Sequence, residues 1–423
     1  MPNIADCILL IVSTLISIKS YKSIIKNKNS SVAHFVILIE YIFLCLPILL
    51  NYIFGVPSYT YIPWYKSFIS SMNNESIGLV YDNYIIISII TLFLYSVYYD
   101  KKQISVKNNF SGLINNKYFS LLLIVSPILY ILFSGNLMAY FVYASTAARG
   151  IYQSNFNVIL SMLVLFSIYG FCCILFSQQL NRKSFIILCI YTLIISWING
   201  KRFIIALLLM VFLFFYTKSD IDIKSRKKLE ILVPFSFVCL ILFSYFYLIF
   251  VKPLSDTSFI SVYDMLRVDF GRDDVIKFVI EQEFFNNNPI LQYRGQTFLS
   301  TFFTFIPREI WAGKPYPHYM YLTSSILGIP IDRLPAGTTP SWFEMCIANF
   351  SWLGFVIGSF GIPILCYWCD KLKSLNNKMI FLVFIIVLIT QSTDAYVGFL
   401  ILLFLKLLMY SILGNRKIKI KFN

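Results

Sequence analysis

Long apolar runs, separated by short polar segments rich in lysine and arginine, set the pattern of this chain. A helix needs about 20 apolar residues to cross a bilayer core, fewer where interfacial Trp, Tyr and Lys mask its ends. The runs 3–18, 32–54, 83–99, 119–134, 156–178, 185–199, 203–217, 231–251, 345–368, 379–392 and 395–413 qualify. They predict an all-α polytopic membrane protein with about 11 transmembrane helices. One long polar interval interrupts them and divides the chain into three regions. Residues 1–251 carry the first eight helices, 252–344 form a large loop, and 345–423 carry the last three helices and a basic tail. The first run lacks a basic flank and a small-residue cleavage site before Lys19, so it is expected to stay as a span.

Composition agrees with this pattern: 58% of residues are hydrophobic and 13% charged, more apolar surface than a soluble core of 423 residues buries. The formal charge of +15 would suggest nucleic acid in a soluble domain, so its placement decides its meaning. With the N-terminus outside, segments 19–31, 100–118, 179–184, 218–230, 369–378 and 414–423 become cytoplasmic. They hold 22 of the 35 basic residues, as the positive-inside rule requires. The charge is then an orientation signal whose partner is anionic membrane lipid, the C-terminus is cytoplasmic, and no nucleic-acid partner is expected. The nine cysteines lie in or beside apolar runs without ligand spacing. The pair Cys366 and Cys369, in ILCYWCD, is expected to be packed helix, and no metal or cofactor is expected.

This topology puts the 252–344 interval outside, where it carries eight basic and ten acidic residues. From about 259 to 285, Asp269, Asp273, Lys277 and Glu281 recur at i+4 spacing beside an Ile276, Ile280, Phe284 stripe. That pattern predicts an amphipathic helix lying along the membrane surface with its apolar face down. Asp273 and Asp274 point about 100° apart on such a helix, and no further acid completes a ligand set; at least one of them is expected to be ion-paired or solvated. Beyond Pro289 the character changes: six prolines fall between Pro307 and Pro340, which excludes long regular helix over much of that stretch.

This shaped loop holds Arg294, Arg308, Glu309, Lys314, His318, Arg333 and Glu344, interleaved with Trp311, Tyr316, Tyr319, Tyr321 and Trp342. Aromatics beside cations suit a phosphorylated sugar, since a ring stacks on sugar C–H groups while a guanidinium grips phosphate. They equally suit an aromatic belt at the outer interface. Arg149, and Lys201 with Arg202 in WINGKRF, sit in outward hairpins where the charge rule would not place them. Two readings stand for these cations: snorkelling to headgroup phosphates, or binding an anionic substrate group at a cavity.

The run FIPREIWAGKPYP, followed by TTPSWFEMCIANFSWLGFVIG at the start of a span, resembles the Wzy-type oligosaccharide repeat unit polymerases, the O-antigen polymerases. The matching positions are Pro307, Arg308, Trp311, Lys314, Pro315, Glu344, Asn349, Phe350, Trp352, Leu353 and Gly354, and they cover about fifty residues. The resemblance implies a GT-C-like fold in the bacterial cytoplasmic (inner) membrane. It also implies glycosyl transfer between undecaprenyl-diphosphate-linked repeat units, for O-antigen or capsule, with a Wzz-type chain-length regulator as partner. Such a reaction needs a general base for the acceptor hydroxyl and fixed positive charge for the diphosphate.

On that footing Arg308 is expected at the diphosphate, with Arg149, Lys201, Arg202, Arg272, Arg294 and Lys314 as further substrate-binding cations and Trp311 beside them. Glu344 is expected as the base, His318 being the alternative. A structural ion pair between Glu344 and Arg308 is the competing role for both. No Gly-rich phosphate loop is present, which fits a lipid diphosphate donor. The rival functions are a lipid-linked oligosaccharide flippase, expected to bury more charge along a central cavity, an O-antigen ligase with the same loop plan, and more remotely an acyltransferase.

Overall fold

The computed structural model describes residues 3–60, 63–102, 117–133, 156–177, 203–218, 259–304, 306, 308–334, 337–372 and 374–391, with scattered positions in 186–194 and 230–242 and residue 397. The described residues fold into helices, without strands. In chain order these are α1 (Ile4–Lys26), α2 (Ala33–Glu40), α3 (Leu46–Phe54), α4 (Phe68–Asn73), α5 (Glu75–Lys101), α6 (Lys117–Phe133) and α7 (Phe156–Ser177). There follow α8 (Phe203–Lys218), α9 (Phe259–Phe270), α10 (Asp273–Ile280), α11 (Gln296–Phe302), α12 (His318–Leu327), α13 (Trp342–Phe350), α14 (Trp352–Lys371) and α15 (Leu375–Thr390).

Among the described residues four continuous helical stretches are long and apolar enough to cross a membrane: Ile4–Lys26, Ala33–Phe54, Glu75–Lys101 and Trp352–Lys371. Shorter apolar helices cover Tyr118–Phe133, Leu209–Lys218 and Asn377–Thr390. The expected spans 185–199, 231–251 and 395–413 fall largely or wholly outside the described residues. The chain divides into two compact units, one of residues 1–105, 217–371 and 385–393, the other of 106–216, 372–384 and 394–423.

In the second unit α6 lies against α7. Pro127 has no N–H to give Leu123 O, the acceptor four residues back, and the Ser126 hydroxyl donates to that carbonyl instead (2.8 Å). Ser167 of α7 donates to Ile124 O (3.1 Å). The approach is close: a Cβ on Gly170 would stand 2.7 Å from Ser120 O.

In the first unit α1, α2, α5 and α14 pack around one another. The start of α2 is held by carboxylates from two other helices. Asp100, in the last turn of α5, accepts from Ser31 N–H (3.0 Å) and lies 3.0 Å from His34 Nε2. Asp370, near the end of α14, accepts from Val32 N–H (3.1 Å), the Ser31 hydroxyl and the Tyr95 hydroxyl. Negative charge at a helix N-terminus satisfies unbonded N–H groups and opposes the helix dipole favourably. A π-helical turn, Tyr41–Cys45, joins α2 to α3 within the second span.

The expected surface helix is corrected here. Instead of one amphipathic rod on the membrane, the chain makes α9 and α10, broken at Gly271 and Arg272, and every residue of α10 is buried against neighbours that include α4, α5 and α13. Gly271 is required at the break, since a Cβ would meet Arg267 O at 2.7 Å. Arg272 N–H donates to Phe43 O in the π-helical turn (3.1 Å), so two interrupted helices satisfy one another. The Arg272 side chain donates through Nε and Nη2 to Thr390 O at the end of α15 (3.2 and 2.9 Å), a cation closing a helix C-terminus. Arg267 and Asp273 form a bidentate pair across the break, both contacts 2.9 Å. Asp274 accepts from the Tyr59 hydroxyl (2.8 Å) and Val275 N–H (2.7 Å). Burial pushes its carboxyl above the usual carboxylate range, and neighbouring Asp273 pushes the same way.

The expected span 345–368 is also two elements. Ser351, at φ 54° and ψ −129°, breaks α13 from α14, and the chain turns by bonding Ser351 N–H to Ile347 O (2.7 Å) and Gly354 N–H to Ser351 O (2.8 Å). That backbone region costs a side-chain-bearing residue on the order of 1–3 kcal/mol. Ser351→Gly is therefore expected to raise stability by about 1 kcal/mol, read as a higher unfolding temperature in detergent; a lower one would show that the Ser351 side chain matters more than its backbone.

Candidate functional site

The prolines of the 252–344 interval leave α11 and α12 as short helices, and the loop between them is closed by its own cations. Arg308 donates to Lys314 O (2.7 Å) and Pro315 O (3.3 Å), and its guanidinium stacks over the Tyr316 ring, 3.8 Å from the centroid. Lys314 Nζ donates to Thr304 O and Ile306 O, both at 2.9 Å. Burial, and then the Arg308 charge, lower the Lys314 pKa from its ordinary value. Arg308 uses one donor on each terminal nitrogen, and its other three N–H groups make no hydrogen bond among the described residues. Trp311 sits edge-on to Phe303 at 5.8 Å.

His318 opens α12 directly after Pro317, a fixed φ at the helix entrance. Glu344 is the third residue of α13, and its Oε2 accepts from both the N–H (2.7 Å) and the hydroxyl (2.6 Å) of Ser341, which caps the helix. Its other oxygen, Oε1, stands 3.4 Å from His318 Nε2, and both side chains are 0% exposed. The two residues that sequence reasoning offered as alternative bases therefore touch. Among the described residues neither His318 ring nitrogen, nor Glu344 Oε1, nor the neighbouring-loop Thr338 Oγ1 has a hydrogen-bond partner. Thr338 is tied to α12 by its N–H, which donates to Thr323 Oγ1 (2.8 Å).

α13 is fixed from both sides. Asn349 accepts from Thr297 N–H (3.1 Å) and donates to Thr297 Oγ1 (2.6 Å), joining α11 to α13. Arg294 donates to Glu283 Oε2 (2.7 Å) and Ala348 O (3.0 Å), with its side chain 48% exposed. The Tyr84 hydroxyl of α5 donates to Phe343 O (3.2 Å), one residue before Glu344. Tyr84 also walls an apolar recess of about 330 Å³ between α5 and α14, with Ile87, Trp352, Phe355 and Phe360.

Of the residues nominated from sequence, the structure brings Glu344 and His318 into contact and groups Arg308 with Lys314 in one loop. Arg308 makes no ion pair with Glu344: its bonds go to loop carbonyls. Arg272 is buried in the helix break at Thr390, and Arg294 braces the end of α13. Arg149, Lys201 and Arg202 lie outside the described residues. Ser341 was missed, although Ser-x-x-Glu ahead of an apolar run is itself a capping signal. Among the described residues no group of three or more His, Cys, Asp or Glu side chains has metal-binding geometry. Comparison with models of known families, with curated proteins and with solved structures finds no match.

Proposed function

We propose that this chain is a membrane glycosyltransferase that polymerises undecaprenyl-diphosphate-linked oligosaccharide repeat units, for O-antigen or capsule, on the outer face of the bacterial cytoplasmic membrane. The observation that carries this reading is the enclosed contact of His318 with Glu344 in the same interval as the Arg308, Lys314 and Tyr316 cluster. In this reading His318 takes the proton of the acceptor hydroxyl, and Glu344 orients the ring and stabilises the imidazolium that forms. Arg308, with its unused donors, holds the departing diphosphate, and Tyr316 offers a face to sugar C–H groups. The recess beside Tyr84 suits a segment of isoprenoid chain, since its wall residue touches the backbone next to Glu344. The enclosure keeps water from competing as acceptor; entry of a sugar hydroxyl requires the 308–340 segment to shift.

Glu344→Gln keeps an acceptor for the α13 cap while removing the charge that faces His318. The variant is expected to lose long-chain polymer, with a rate drop of about 10²–10⁴-fold, while single repeats still reach the final acceptor. The readout is the surface-polysaccharide ladder of a deletion strain complemented with the variant, and wild-type banding would remove Glu344 from the chemistry. One observation favours a transporter instead: the broken helix α9–α10, with buried Arg267, Arg272, Asp273 and Asp274, resembles the interrupted helices that line transport sites. The same gel separates the two, because lost transport removes single repeats as well as polymer.

A further inference from the structure

Away from the loop, a second set of charges sits among α1, α3, α5 and α10, with Asp82 and Lys277 buried and Asp6 half-buried. Asp82, two turns into α5, is 2% exposed, and neither of its carboxylate oxygens has a hydrogen-bond partner among the described residues. Its carboxyl lies within hydrogen-bonding reach of that of Asp6, in the first turn of α1, and within electrostatic range of Lys277. Asp6 accepts from the Tyr52 hydroxyl of α3 through Oδ2, and its Oδ1 is buried without a partner. Lys277, on α10, is 5% exposed and makes no hydrogen bond or ion pair among the described residues; its ammonium rests 5.1 Å from the centroid of the Tyr81 ring. The further titratable neighbours of Asp82 among the described residues are Tyr52, Tyr81 and Cys45, two phenols and a thiol.

Two carboxylates facing each other with no donors between them repel, and the enclosed Asp82 is the one that water screens least. One ammonium in the vicinity leaves the set one negative charge out of balance. Asp82, enclosed and aimed at Asp6 with both oxygens idle, is arranged to receive something positive. Among the described residues no group of three or more carboxylate, His or Cys side chains has metal-binding geometry here, which disfavours a divalent ion. A single positive charge, shared between Asp82 Oδ and Asp6 Oδ1, settles both the repulsion and the missing bonds. We propose that Asp6 and Asp82 form a binding site for one monovalent cation, a proton or a sodium ion, whose occupancy locks α1 and α3 onto α5 beside Lys277. This site is independent of the glycosyltransferase reading, since it touches neither His318 nor Arg308.

The test uses the full-length chain in detergent or lipid nanodiscs. If sodium is the occupant, the unfolding temperature rises by several degrees when sodium chloride replaces equimolar choline chloride, and Asp82→Asn abolishes the rise. If the occupant is a proton, sodium has no such effect. The infrared spectrum then shows a protonated carboxyl band at neutral pH that Asp82→Asn removes, and the wild type loses stability as the pH turns alkaline. Should Asp82→Asn fail to fold, Asp6→Asn serves in its place. The proposal is overturned if the wild type is indifferent to both sodium and alkaline pH, or if either response survives unchanged in both variants.

Discussion

Arg267→Ala is expected to destabilise the protein by about 3–5 kcal/mol, among the largest effects of any single substitution in the described residues. Both partners of its bidentate pair are enclosed, the Arg267 side chain being 2% exposed and that of Asp273 0%. Removing the guanidinium leaves Asp273 charged, buried and beside Asp274, so the cost is that of a stranded anion rather than of one lost contact. The break between α9 and α10 would open, and with it the bond from Arg272 N–H to Phe43 O. A double variant, Arg267→Met with Asp273→Leu, removes both charges and is expected to recover most of the loss, as apolar replacement of buried ion pairs does elsewhere. Thermal unfolding of the two variants in one detergent decides it. Equal and small losses would mean that these helices lie on a wet surface, as their sequence alone suggests.

Gly354→Ala is the second large effect, and it acts on stability and activity together. A Cβ there would stand 2.3 Å from Cys346 O and 2.6 Å from the Ile347 Cα, backbone atoms of α13 that no rotamer change can move aside. Overpacking against side chains costs about 1–3 kcal/mol, and the rigid backbone puts this substitution at or above the top of that range. Any relief must come from displacing α13 relative to α14, which carries Glu344 away from His318. Polymer length is therefore expected to fall even at temperatures where the variant remains folded. Gly358→Ala is expected to act through the same helix, because its Cβ would fall on the Tyr84 hydroxyl, which is buried and bonded to Phe343 O of α13. Normal ladders in Gly354→Ala at full expression would show that α13 tolerates the shift.

The helical character of the chain, with helices apolar and long enough to cross a membrane, was legible because apolar runs of bilayer length are hard to produce otherwise. Helices α6 and α7 begin and end near the expected positions, whereas α1 runs eight residues past the expected end and α5 starts eight residues before the expected start, through polar residues that hydropathy excludes. Ion pairing of one of the adjacent acids was one of two roles left open by the sequence, the other being solvation, and its partner was not legible. The i+4 row pointed to neighbours on one continuous helix, whereas Asp273 binds Arg267 six positions away across a break. Periodicity reports which residues share a face; it carries no information on what covers that face, so α10 read as a surface element. The break at Ser351 was hidden because serine gives no hint of a positive φ. At the candidate site the residue types were visible in sequence, while the contact between His318 and Glu344 depends on how a proline-rich loop folds back, which no local pattern encodes. The acids at Asp6 and Asp82 fall inside or beside apolar runs, where a lone carboxylate is itself a signal.

The clamp on α2 has a consequence for biosynthesis. Ser31 and Val32 are bonded to a carboxylate 339 and 338 positions further along the chain. Until Asp370 has left the ribosome, Val32 N–H and the Ser31 hydroxyl lack this acceptor, while Ser31 N–H has Asp100 and Ala33 N–H has Ser31 Oγ. Truncations that stop short of residue 370 are then expected to be recognised by membrane quality control even though every earlier span is present. Assembly of the bundle is timed by its last third.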